Sequence, residues 1–536
     1  MKPVGLGEPA PDPSEKILLR GGVVYDGTGS PPLAASVAVA GGRVIGIGRF
    51  DTDGWQVVDV DGLAISPGIV DMHTHSDVSV LSHPACVSAI GQGITTQVVG
   101  HCGFSAAPTD ARTRRTLVEE EPVFGFPHPE ESGLWGWDDV DGYLAAVEES
   151  MPATNIATLT GHNTIRRLVL GSEERGPTPD ELDLMAKHVS EGLLEGAVGF
   201  STGLSYAPGM YADTHELAVL ARQAGTFGRR YHTHMRYGDL TTRESLLEAI
   251  ETARVADVAL NVSHLYPGRK DPHDEAGRLL DLIEGAARDT EVTFDLTLFR
   301  RGGGAWLQGL PGWARAGGLE ATRARISDPG DRRRMLDAVG SRDDWDDQLV
   351  VKVNSPRNSH LVGRSIGEIA RERGKDPAST ALELVTEDGQ FWIAPTIKRQ
   401  EDLDLLLAHP ACVPVTDGMA ADPVAHASLG LMPNTFGTFA LLFGDYVRRR
   451  RVLTLTEAIR RVTSLAADRV GLDDRGTLVA GKAADIIVFD PEEIDNRATD
   501  HRPGQRPAGI RHVIVNGRFA MFDGQFTGDR AGRALR

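Results

Sequence analysis

The chain has 536 residues, 41% of them hydrophobic and 24% charged, with a formal net charge of −19. That length exceeds one simple core and predicts two or more structural units in an ordinary globular protein. The acidic balance excludes sequence-independent nucleic-acid binding, which needs a basic field, and leaves a small-molecule substrate as the expected partner.

In chain order, residues 1–15 read as a loose polar arm, and the opening MKPVGLGEPAPDPSEK has no apolar h-region of a secretory signal. No apolar run is long enough to cross a bilayer, so no membrane partner is expected. Three cysteines, Cys86, Cys102 and Cys412, are too few for a disulfide framework and fit a reducing compartment. A cytoplasmic enzyme is the expectation, with its oligomeric state open. Residues 17–60 alternate apolar residues with glycine turns and predict short strands. GTLVAGKAADIIVFD (476–490) and IRHVIVNGRFAMFDG (510–524) have the same character.

Between these ends, short apolar strands alternate with helical segments, the pattern of a parallel βα architecture. Eight candidates are GIVDMH (68–73), TTQVVG (95–100), NIATLT (155–160), AVGFST (197–202), RRYHTH (229–234), ALNVSH (259–264), EVTFDL (291–296) and CVPVTD (412–417). Eight units close an α/β barrel of the (β/α)8, TIM-like kind, whose functional residues sit at the carboxyl ends of the strands. The expected domains are 1–66 and 471–536, the two halves of a small β-sandwich, around a barrel over 67–470. A Gly- and aromatic-rich stretch, about 299–347, is expected to be an insertion forming a lid.

The strand ends carry the chemistry. His73 and His75 are two residues apart, so on a strand both point to one face. His73, His75, Cys102, His234, His264 and Asp417 together supply four imidazoles, a thiolate and a carboxylate. That is a zinc-like donor set, because zinc accepts N, O and S and lowers the pKa of bound water. Asp417 fits a general acid/base beside that water. Cys102 is a nucleophile or a metal ligand, and the surrounding histidines favour the ligand. His232 reads as core, Cys86 and Cys412 as structural, and Lys187 as solvated on a helix.

The sequence resembles the amidohydrolase superfamily, and within it the N-acyl-D-amino-acid deacylase (D-aminoacylase) family. The motifs that carry this are LLRGGVVYDGTGSPP, SPGIVDMHTHSD, VVGHCGFS, FSTGLSYAPGMYA, YHTHMR, NVSHLY, VTDG and GTLVAGKAADIIVFDP. No lysine between Cys102 and His234 lies on a strand; the cysteine of VVGHCGFS matches the deacylase pattern instead. The resemblance implies one tightly held Zn2+ on Cys102, His234 and His264, a second, weaker position near His73, His75 and Asp417, and Asp417 as general acid/base.

This chain departs from the family around the substrate. The family's Ser-His-His-Lys is here Ser263-His264-Leu265-Tyr266, and its Pro-Arg is here Pro433-Asn434, so the lysine and arginine that would grip a carboxylate are absent. Arg300, Arg301 and Lys270 are the candidate replacements, and Tyr206, Tyr266 and Arg300 the candidate substrate contacts. The expected activity is zinc-dependent hydrolysis of a non-peptide C–N bond by metal-bound hydroxide, on an N-acyl amino acid or related N-acyl amide. The rivals are an amidohydrolase of cyclic or carboxylate-free amides and a metal-binding barrel without catalysis.

Overall fold

A computed structural model describes residues 16–120, 135–237, 240–269, 271–340, 342–427 and 430–536. The expected arm over 1–15 and Lys270 lie outside the described residues. All eight expected strand segments form strands: Ile69–Asp71, Ile94–Val99, Asn155–Thr158 with Thr160–Gly161, Gly199–Gly203, Arg230–His234, Leu260–Val262, Val292–Thr297 and Cys412–Val415. Every residue of the second, third, fourth, sixth, seventh and eighth strands is buried. Strands covered on both faces need continuous apolar or hydrogen-bonded small residues rather than alternation, and that is how they read.

The strands pair in parallel, each with its neighbour in sequence, and helices run between them. The ladder has two seams. One lies within the third strand, whose first piece pairs with Ile94–Val99 and whose second pairs with Gly199–Gly203. The other lies between the first and eighth strands, where regular pairing gives way to a single bridge, Thr74 to Gly418. Asp417 N donates to His73 O (3.1 Å) and His75 N to Gly418 O (2.7 Å), so this seam is stitched at the carboxyl ends. A helix runs from Leu455 to Arg469 with a π turn at Arg461–Leu465.

Both chain ends share one nine-stranded sheet. The strand Ala64–Pro67 pairs with Ile486–Phe489 across more than four hundred residues of sequence, and Ile17–Val24 branches to Leu33–Ala40, Gln56–Asp59 and Ala64–Pro67. An apolar core of Ile17, Leu19, Val37, Ile65, Ile486, Val488, Ile514 and Phe519 holds the two ends together.

The long connection after the seventh strand packs around its own core of Trp306, Leu310, Met335, Ile366, Leu382 and Phe391. It has its own small sheet, Gly304–Ala305 and Leu349–Lys352 on either side of Trp392–Ala394. It touches the barrel's fourth-strand loop: Arg315 donates to Ser205 O (2.8 Å) and Tyr211 to Gly312 O (3.2 Å).

Candidate metal centre

The carboxyl ends of six of the eight strands meet at one point. His73 follows the first strand and leaves the ladder at the seam, where its carbonyl is tied to Asp417 N. Its Nε2 lies 3.5 Å from Asp417 Oδ1, and His75 Nε2 lies 3.1 Å from the same oxygen. Asp417 has φ +51°, a left-handed conformation that costs a non-glycine residue about 1–3 kcal/mol. Asn434 supports it by donating Nδ2 to Thr416 O (2.7 Å) and Asp417 O (3.1 Å).

Cys102 follows the second strand and is also left-handed, at φ +54°. The glycines beside it make that turn possible. A Cβ on Gly100 would stand 2.4 Å from Leu159 O, and one on Gly103 would stand 2.7 Å from Gly203 N. The turn puts Sγ 3.5 Å from His73 Nε2 and 3.7 Å from His264 Nε2. His234 ends the fifth strand with Nδ1 3.0 Å from His264 Nε2. His264, after the sixth strand, is the third left-handed residue here, at φ +37°.

Asp295, on the seventh strand, holds these pieces together. Its fully buried carboxylate accepts from His264 N (2.6 Å), Asn261 Nδ2 (2.8 Å) and His73 Nδ1 (3.2 Å). By accepting a hydrogen bond from Nδ1 it turns Nε2 of His73 toward Cys102 and Asp417, where a bound metal would meet it. Sequence reading places Asp295 at a strand end but gives it no role, because its work is to orient ligands and that shows only in space.

Two donor triads result, His73–Cys102–His264 and His73–His75–Asp417, each with its atoms within 4.8 Å of one another. Donor atoms bound about 2.0–2.3 Å from one tetrahedral zinc stand about 3.3–3.8 Å apart. The 3.0, 3.5 and 3.7 Å separations fall around that span. Burial raises the Cys102 thiol, but the charge of His73 and bonds from His234, His264 and His73 hold it well below the ordinary thiol range. These neighbours favour the thiolate, the form a metal requires. Burial pulls His75 down, yet Asp417 and Cys102 hold it at about 10, so the pocket gathers positive charge strongly. Asp417 is raised by burial and lowered more by His75, His73 and His264, and its side chain remains 27% exposed. The donor set fits a zinc-type ion, with His73 shared between its two halves.

His101 stacks on His73 at 4.0 Å and is held well below the ordinary range by burial and by its charged neighbours. Behind it His232 is fully buried and pushed by burial to about 3, a neutral core ring. Cys86 and Cys412 are buried thiols raised by burial, Cys412 to about 12. Lys187 is exposed and pairs with Glu191 at 3.4 Å.

Tyr206 packs against His234 with ring centres 4.8 Å apart. Tyr266 stacks on Tyr237 (6.4 Å), which in turn meets His234 (5.4 Å). Arg300 is exposed and donates to Lys398 O at 3.4 Å, while Arg301 is engaged with Asp347 and Asp500, each at 3.0 Å. The structure brings Lys398 to this mouth instead. It sits in APTIKRQ, which carries no motif that sequence reading could use. A cavity of about 220 Å³ opens between Tyr266, Gly302, Gly303, Gly304, Ile393 and Ile397.

The sequence matches the amidohydrolase family over residues 56–521. It is 31% identical to the N-acyl-D-aspartate deacylase of Alcaligenes xylosoxydans xylosoxydans, over 97% of this chain and 94% of that one. It superposes on the N-acyl-D-glutamate deacylase of Bordetella bronchiseptica, solved with zinc and a phosphonate that mimics the tetrahedral intermediate (TM-score 0.81, 28% identity, 97% of this chain and 99% of that one). A D-aminoacylase with a binuclear metal centre, described as activated by one metal and attenuated by the second, matches with TM-score 0.80 and 30% identity over 97% of this chain and 99% of that one. With this likeness running through both β-rich ends and the barrel between them, the chain belongs to the amidohydrolase family.

Proposed function

We propose that this protein is a zinc-dependent deacylase of N-acyl-D-amino acids, cleaving the amide between the acyl group and the amino nitrogen. The observation that carries the reading is the paired donor set, in which Asp417 is the one part-exposed member and stands 3.1 Å from His75. Cys102 and His264, joined by His234 at 3.0 Å from His264, would hold the tighter ion, and His73, His75 and Asp417 the weaker one, with His73 also 3.5 Å from Cys102 between the two groups. Zinc there supplies Lewis acidity, making a water more acidic and polarising the acyl carbonyl.

Asp417 takes the proton of the attacking water and returns it to the departing amine nitrogen. Its left-handed backbone, supported by Asn434, holds the carboxylate beside His75, where it is the part-exposed member of the group. Asp295, by accepting from Nδ1, would leave Nε2 of His73 available to an ion. Tyr206 and Tyr266 bound the substrate, and the insertion after the seventh strand closes over them as a lid, beside the sheet that both chain ends build. The D configuration is taken from the relatives.

The test is acetate release by zinc-loaded protein from N-acetyl-D- and N-acetyl-L-amino acids. Turnover of the D series is expected. Asp417→Asn should lower kcat by about a thousandfold or more while tight zinc stays stoichiometric; full activity with zinc bound would end this assignment.

A second reading has one observation in its favour. Asn434 is committed to backbone carbonyls and Tyr266 carries no charge, so neither supplies the cation that the family's arginine and lysine would set against a carboxylate. A hydrolase of cyclic amides would suit such a pocket. Turnover of hydantoin or dihydrouracil, with none of any N-acetyl-D-amino acid, would favour it.

A further inference from the structure

Lys398 is the unusual cation of this mouth. It is 4% exposed, and its ammonium donates to Thr297 O (3.3 Å), Thr297 Oγ1 and Phe299 O (3.2 Å), all neutral acceptors. Among the described residues no carboxylate forms an ion pair with it. The neighbouring cations differ: Arg399 pairs with Asp402 (2.5 Å), Arg301 with Asp347 (3.0 Å) and Arg236 with Glu248 (3.1 Å). Arg300 is exposed. A buried cation without a counter-ion is costly, and structures seldom keep one without a use.

Its position gives the use. Thr297 ends the seventh strand, two residues beyond Asp295, so the ammonium lies at the same barrel rim as the metal donors. It stands 5.0 Å from the centre of the Tyr266 ring, beside the cavity lined by Tyr266 and Ile397. Burial lowers its pKa to about 8 and Asp417 opposes that, so the catalytic carboxylate is within its electrostatic reach. The carbonyl dipoles of Thr297 and Phe299 fix the ammonium in place. The Thr297 hydroxyl accepts from Lys398 and keeps its own proton to donate. A charge plus a hydroxyl donor on a rigid rim is a receptor for a carboxylate.

We propose that Lys398, with Thr297, is the specificity element that recognises the carboxylate of the substrate. This rests on the deacylase reading above and adds the group that selects an anionic substrate over its neutral counterpart. The tyrosine at 266 then serves as the aromatic wall on which the ammonium rests, a cation–π contact that steadies it without neutralising it.

The test compares N-acetyl-D-leucine with N-acetyl-D-leucinamide, two compounds of nearly one shape that differ in the carboxylate charge. Acetate release and calorimetric binding are measured on zinc-loaded wild type, Lys398→Met and Lys398→Arg. Wild type should favour the acid. Lys398→Met should reduce the acid-to-amide ratio of kcat/KM by thirtyfold or more, chiefly through KM for the acid, and Lys398→Arg should keep the ratio within about fivefold. Equal losses on acid and amide would make Lys398 a tether of the insertion and overturn the proposal, as would an unchanged ratio. If Lys398→Met does not fold, Lys398→Arg and the wild-type ratio decide: a wild type that does not favour the acid overturns it. If no compound is hydrolysed, the deacylase reading fails, and the binding ratio still judges Lys398. Tighter binding of the acid, lost in Lys398→Met, supports the proposal, and no preference between the two overturns it.

Discussion

Replacing Asp295 with asparagine removes one charge and exchanges one carboxylate oxygen for an NH2 group. Three donors converge on that carboxylate: His264 N at 2.6 Å, Asn261 Nδ2 at 2.8 Å and His73 Nδ1 at 3.2 Å. The asparagine oxygen can keep the shortest of them, and the new NH2 must then face another donor. Hydrogen bonds to a charged group contribute about 1.5–3 kcal/mol each. With one bond kept and weakened and two disturbed in a fully buried site, the net loss of stability should be about 2–4 kcal/mol. The loss at the metal is separate. His73 loses the acceptor that selects its tautomer, and His264 loses the anchor of its left-handed backbone. Removing such an outer partner typically costs 10–100-fold in metal affinity, or about 1.4–2.7 kcal/mol. The assays are urea unfolding of the metal-free protein and zinc competition against a chromogenic chelator. Zinc affinity unchanged within threefold in a folded Asp295→Asn protein would refute the claim that Asp295 organises the donors.

The donor cluster has consequences for stability as well. Chelation should lower the melting temperature, and zinc at about a thousand times its Kd should restore about 4 kcal/mol, whereas magnesium should not, because the thiolate of Cys102 disfavours a hard ion. Gly103→Ala should weaken zinc binding at least tenfold, since φ is +79° and the added Cβ would meet Gly203 N at 2.7 Å, displacing the turn that carries Cys102; zinc titration of the variant checks this. His512, far from the metal, is held by burial at about 4 and accepts from Asp523 N at 3.1 Å. The unfolded chain takes up a proton there near pH 6.5 and the folded one only near pH 4, so stability falls as pH drops between those values. His512→Gln should flatten that stretch of the stability–pH curve measured by urea unfolding, and an unchanged slope would show that His512 does not drive it.

The strand pattern was legible because each barrel strand must bury both faces, and a run such as Val-Thr-Phe-Asp-Leu-Thr satisfies that only inside a parallel sheet. The donor residues were legible for a related reason: a buried imidazole or thiolate at a strand end has few uses other than a ligand, and spacing such as His73-Thr74-His75 survives as geometry. An insertion over about 299–347 is expected from the length and composition of the connection, whereas the separate core, which runs on past 347 to Ile366, Leu382 and Phe391, required the packing. Asp295, Asn434 and Lys398 show what remained hidden. Asp295 is one aspartate among many until three donors arrive from three other places in the chain. Asn434 looks like the loss of a binding residue until its amide is found supporting the backbone of Asp417. Lys398 lies more than a hundred residues from Tyr266, and nothing local says that its ammonium rests on that ring. Local sequence determines which residues can be strands and which can be ligands, because those depend on side-chain chemistry and short-range periodicity. Which donor faces which acceptor, and which buried charge lacks a counter-ion, depends on distances between segments remote in sequence, and only the folded chain decides those.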